Sequence, residues 1–179
     1  MSVQTTYTTA PAVAFAGMLA DDTENDIQTM VNAEASASMP FGTVTAFKTS
    51  SPNSDKDSIQ PAAGAKLAGI VVHSHDFART FQLPDGTTVG ENDGTGLKPG
   101  AEYACLVRGT IWVKVQQAVV PGDRLFVCIA AGTVYTAKGQ IGNADESSNT
   151  IDATNIGRFT SSAAAGGLAK LQVDFSQKP

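Results

Sequence analysis

The sequence predicts an all-β protein, a sandwich or small barrel carrying an extended N-terminal arm, and three observations predict it. Short runs rich in β-branched and aromatic residues recur along the 179-residue chain, separated by Gly, Pro, Asn and Asp turn chemistry. No segment beyond the arm holds a sustained helical apolar period with caps. At the carboxyl end Leu171, Val173 and Phe175 alternate with Lys170, Gln172 and Asp174, the pattern of a half-buried strand.

Residues 1–38 read as the arm and 39–179 as the β domain. The first basic residue is Lys48. Two apolar groups, Val13, Phe15, Met18 and Leu19, then Ile27, Met30 and Val31, flank the acidic run Asp21-Asp22-Thr23-Glu24-Asn25-Asp26. They are too dispersed to form a core alone and need another surface to bury against. An arm of this kind is expected to be removable through residue 33 without unfolding the rest. The run Pro11–Ala20 has the apolar look of a signal-peptide core, but no positive region precedes it. It is also about half the length of a bilayer span, so neither export signal nor membrane anchor is expected.

Phe41–Phe47 reads as the first strand of the domain. Residues 49–64 read as a polar loop with a turn at Ser50–Asp55, and Leu67–His73 as a strand. A long glycine-rich loop is expected at about 84–100, with turns at Pro84-Asp85-Gly86 and Asn92-Asp93-Gly94. Tyr103–Val107 and Thr110–Val115 read as a hairpin turning at Arg108-Gly109. In its second strand Ile111, Val113 and Val115 face one way, and Trp112, Lys114 and Gln116 the other. Pro121-Gly122-Asp123 launches Leu125–Ile129, which is nearly all apolar and therefore central. Thr133–Ala137 reads as another short strand.

Composition narrows the function. Charged residues make up only 16% against a usual ~25%, which suits burial against partners. A net charge of −5 provides no basic footprint for nucleic acid, and anionic membranes are disfavoured for the same reason. Cys105 and Cys128 lie in apolar strand-like runs, so buried free thiols are expected rather than a disulfide framework.

Catalytic and metal chemistry is sparse. His73 and His75 share one strand face, yet two nitrogens leave a metal site short of ligands, and no third is identifiable. No nucleophile elbow accompanies them. The carboxylates of Asp21, Asp22, Glu24 and Asp26, and of Glu91 and Asp93, lie in segments expected to be solvated and match no calcium loop. Gly86, Gly90, Gly94 and Gly96 lack the ending of a phosphate-binding loop. No catalytic, cofactor or metal residue is therefore assigned, and no enzyme is expected. Trp112 reads equally as a core anchor of a second layer or as an interface aromatic.

With the strands in place, the sequence resembles the structural cement (capsid decoration) proteins of tailed bacteriophages. The pieces that carry this are Met39-Pro40-Phe41-Gly42, Ala68–Val72, Val107–Val115, Val119–Val127, Ile156–Phe159 and Gly167–Leu171, in that order. The resemblance implies a β-barrel or β-tulip domain on the outer surface of the capsid head of a virion assembled in the host cytoplasm. It implies major capsid protein as the partner, bridged by a homo-oligomer, with a trimer favoured and a dimer as the alternative. Val13, Phe15, Met18, Leu19, Ile27 and Met30 are the expected arm contacts with the shell or a neighbouring copy, and Trp112 the candidate interface aromatic. Two other classes stand beside this reading. One is a virion-surface receptor- or carbohydrate-binding β module; the other is a metal-dependent hydrolase or cupin-like enzyme using His73 and His75.

Overall fold

The computed structural model describes residues 14–21, 24–50, 55–73, 81–82, 88–89 and 96–176. Val13, His75, residues 51–54 and both turns of the 84–100 loop lie outside them. The described strands are β1 (Asp26–Asn32), β2 (Val44–Phe47), β3 (Asp57–Ile59), β4 (Leu67–Val71), β5 (Phe81–Gln82) and β6 (Thr88–Val89). They continue with β7 (Glu102–Lys114), β8 (Phe126–Cys128), β9 (Ile141–Gly142), β10 (Thr150–Asp152), β11 (Gly157–Phe159) and β12 (Leu168–Asp174). One 3-10 turn at Ser147–Asn149 is the only helical element among the described residues. The all-β class is as the sequence predicts.

The main sheet runs β1-β3-β2-β4-β7-β12-β11, and a further β1–β7 pairing closes its first five strands into a barrel. Closure removes the edges that strands so rich in Val and Ile would otherwise leave open. β10, β8 and β9 form a second sheet with β8 in the middle; all three of its residues are buried, as the apolar run from Leu125 predicts. β5 pairs with β6, so the expected 84–100 loop holds a short strand at Thr88–Val89.

Apolar side chains pack on both faces of β4, and all five of its residues are buried. On one face Met30, Met39, Val71, Leu97, Tyr103 and Cys105 form a compact cluster. Its polar atoms are satisfied internally: Ser58 Oγ and the Tyr103 hydroxyl lie 2.6 Å apart, and the Tyr103 hydroxyl donates to Thr45 Oγ1 at 3.3 Å. On the other face Ile70, Leu106, Ile111, Val113, Val127, Ile141, Phe159, Leu171 and Val173 form the larger core between the two sheets. Ala169, Leu171 and Val173 of β12 are buried while Gln172 is exposed, which bears out the alternation read from the sequence.

Three expectations are corrected. The hairpin at Arg108-Gly109 is instead one continuous strand of 13 residues, β7. Its first half already has partners in β1 and β4, and its second half in β12, so neither half needs to fold back on the other. A register shift at Asp26/Ile27 and Gly109 at φ +142° bend the strand so that it serves both barrel and second core. Thr133–Ala137 is not a strand, because the Glu146 carboxylate takes the backbone donors of its first three residues and Gln140 Oε1 those of Thr136 and Ala137. Thr133 and Val134 donate to Oε1 at 2.7 and 2.8 Å and Tyr135 to Oε2 at 3.4 Å. The stretch read as an arm, residues 1–38, contains β1, the strand that closes the barrel, so removal through residue 33 is expected to disrupt the domain. β1 is also held by Asn32, 0% exposed, whose amide donates to the Leu97 carbonyl at 2.9 Å.

Candidate functional site

Residues 17–20 lie along β7 before β1 begins. Gly17 N–H donates to the Trp112 carbonyl and Trp112 N–H to the Met18 carbonyl, each at 2.8 Å, and Ala20 N–H donates to the Thr110 carbonyl at 2.9 Å. Leu19 bridges antiparallel to Ile111. Gly17 sits at φ +85°, and a Cβ there would meet His73 N at 2.9 Å, so the close approach of this segment to β4's exit depends on glycine. His73 N–H in turn donates to the Gly17 carbonyl at 2.8 Å.

This register sorts the expected contact residues. Leu19 opposes the fully buried Ile111 and packs against the larger core. Strand alternation then puts Met18 opposite Trp112 on the outward face, where both are half-buried. Phe15 is 44% exposed and Ile27 43%. Met30 is 1% exposed and belongs to the compact cluster beside Tyr103, its partner in register. Its side chain is already used to seat β1.

Phe15 rests on the imidazole of His73 with centroids 4.3 Å apart, and Phe41 approaches the same ring at 4.7 Å. His73 thus sits between two aromatic rings. Among the described residues no group of three or more His, Cys, Asp or Glu could hold a metal. Cys105 and Cys128 are free and buried, as expected; burial pushes the Cys105 thiol up to about 12, too high to furnish a thiolate nucleophile at neutral pH.

The outward face of β7, β12 and β11 has its own character. Lys170 Nζ stands 5.4 Å from the centre of the Trp112 ring. Leu168 pairs with Lys114, Lys170 with Trp112 and Gln172 with Thr110, while Arg158 of β11 donates from Nε to Gln172 Oε1 at 2.9 Å. At the end of this face opens a groove of about 800 Å³, lined by Asp21 and Glu24 on one side and by Arg108, Asn155, Arg158 and Asp174 among others. Arg108 and Glu24 face each other at 3.5 Å, with side chains 56% and 84% exposed, so the pair is solvent-screened and weak. Strand alternation put Lys114 on the face of Trp112 but did not gather Lys170, Arg108 and Arg158 around it. Lys114 and Lys170 alternate with core residues in plain view, but Arg108 and Arg158 join them only through the β7–β12–β11 register.

A family model described as structural cement protein (E217 gp24/Pam3 gp6) matches residues 3–174. No curated protein matches the chain. Among solved structures, a chain from the work titled "The capsid of Myoviridae Phage XM1" superposes with a TM-score of 0.64 at 11% identity, covering 97% of this chain and 98% of that one. At that identity the likeness speaks for the fold.

Proposed function

Because this chain belongs to the phage structural cement protein family, with a structural role in the virion capsid, we propose that it binds the outer surface of the head and bridges major capsid protein subunits there. The observation that carries this reading is the reach of the family match, residues 3–174, which takes in the N-terminal segment and both cores together. The chain acts without catalysis, as a clamp across seams of the shell.

The physical logic is mass action. A protein that binds only the assembled shell stabilises it in proportion to its occupancy. A homo-oligomer, a trimer by preference, engages several seams at once and turns modest single contacts into firm attachment through effective concentration. Phe15, Met18 and Ile27, with Val13 ahead of them, are the arm residues assigned to contact. Leu19 and Met30 support them by fixing the segment to β7 and the barrel.

The test is a capsid pull-down with heads lacking this protein, combined with their thermal stability. Purified protein is expected to sediment with mature heads and raise their disruption temperature, and Phe15→Ser/Ile27→Ser to weaken both. Heads that neither bind the protein nor gain stability overturn the proposal.

A further inference from the structure

Four of the chain's 12 basic residues, Arg108, Lys114, Arg158 and Lys170, stand on the outward positions of three adjacent strands. They surround the only tryptophan, which has Met18 as its cross-strand neighbour. Along Arg108–Lys114 and on β12 and β11, Asp174 is the one carboxylate. An aromatic and a thioether at the centre with Arg and Lys about them is the anatomy of a protein–protein contact. It is an unusual concentration of positive charge for a chain of net charge −5.

The complement to this face is in the same sequence. Asp21-Asp22-Thr23-Glu24-Asn25-Asp26 places four carboxylates within six residues, and Asp21, Glu24 and Asp26 are exposed. Within one chain the screened Arg108–Glu24 pair is the ion pair linking the run to the face among the described residues, so most of both charges point to solvent. We propose that this face is where copies of the chain meet, the Trp112–Met18 centre and its cationic rim receiving the acidic run of a neighbouring copy. The inference rests on the cement reading above and deepens it by assigning the self-contact to a surface. Two molecules of net negative charge repel at long range, so their association depends on such a local match. Each copy carries both patches and can give and receive at once, which is what a closed assembly needs.

The single tryptophan makes the test direct. Full-length protein is followed by sedimentation and by tryptophan emission over a concentration series at low and high salt. Growth in mass is expected to bring a shift of emission to shorter wavelength, weaker at high salt. A face variant, Lys114→Glu/Arg158→Glu/Lys170→Glu, and a run variant, Asp21→Lys/Glu24→Lys/Asp26→Lys, are each checked for native circular dichroism. Each alone is expected to self-associate about a hundredfold or more weakly, the scale set by like charges juxtaposed across an interface. An equimolar mixture is expected to recover association, because each variant then meets its opposite. A wild-type chain that is monomeric throughout, variants that associate as the wild type does, or a mixture that recovers nothing overturns the proposal. Capsid pull-down of the same variants separates the two readings. Monomeric protein that still decorates heads removes the self-contact and leaves the cement role standing. Loss of head binding by a face variant that self-associates normally assigns the face to the capsid protein instead.

Discussion

Gly109 and Phe159 show how differently single residues support this fold. Gly109 has φ +142°, and a Cβ there would run into Asn25 Oδ1. Gly109→Val is expected to cost ~1–3 kcal/mol through backbone strain and to push the Asn25 side chain away from the start of β1. Urea denaturation measures the first and hydrogen exchange along β1 the second. Phe159 is 1% exposed in the core between the sheets, so Phe159→Ala is expected to cost ~3–5 kcal/mol by cavity formation. Cys105 and Cys128 are expected to resist a thiol reagent in the folded protein and to react fully in denaturant; rapid labelling of the native state would contradict their burial. Glu146 carries a pH prediction. Three backbone N–H groups hold its carboxylate below its ordinary 4.5, the Val134 donor foremost. A lowered folded pKa means the stabilisation is complete above the unfolded value and is lost as pH falls through the folded one. The 132–146 turn should therefore loosen first in acid, and Glu146→Gln should flatten that dependence when followed by exchange of the Thr133, Val134 and Tyr135 amides. The sequence announced the two thiols through their apolar runs. It gave no sign of Glu146, whose partners lie 11 to 13 residues away and are backbone groups that leave no trace in residue type.

β7 best separates what was legible from what was not at the level of elements. Its inward residues Ile111 and Val113, and Val115 just past its end, were readable from alternation, and all are 0% exposed. Its continuity was not, because Arg108-Gly109 is equally good chemistry for a turn and for a bend in one long strand. Only the available partners decide, and these come from β1, β4 and β12, distant in sequence. The same holds for β1. Ile27, Met30 and Val31 fit strand and helix periods alike, and the seven-residue strand is selected by the edge of β7 that receives it. Removing residues 1–33 takes out β1, with Met30 and Asn32, and is expected to abolish cooperative unfolding. Cooperative unfolding of this truncation near the full-length midpoint would show that the barrel does not need this strand.

For the whole molecule, two packed cores share one long strand, and two stretches, residues 17–20 and 26–31, run antiparallel along it. The bonds between antiparallel neighbours lie across the strand axis. A tension drawn along that axis therefore strains the Gly17, Trp112 and Ala20 bonds and the β1 register pairs side by side, in shear. A tension drawn across it would open them one after another, like a zip. A molecule gripped near Phe15 and held elsewhere by its β12–β11 face would feel lateral stretching of its support as shear or as peeling according to how β7 lies on it. Its mechanical strength would then depend on the angle of pull, great along β7 and small across it, and pulling from engineered attachment points at the two angles would measure the ratio.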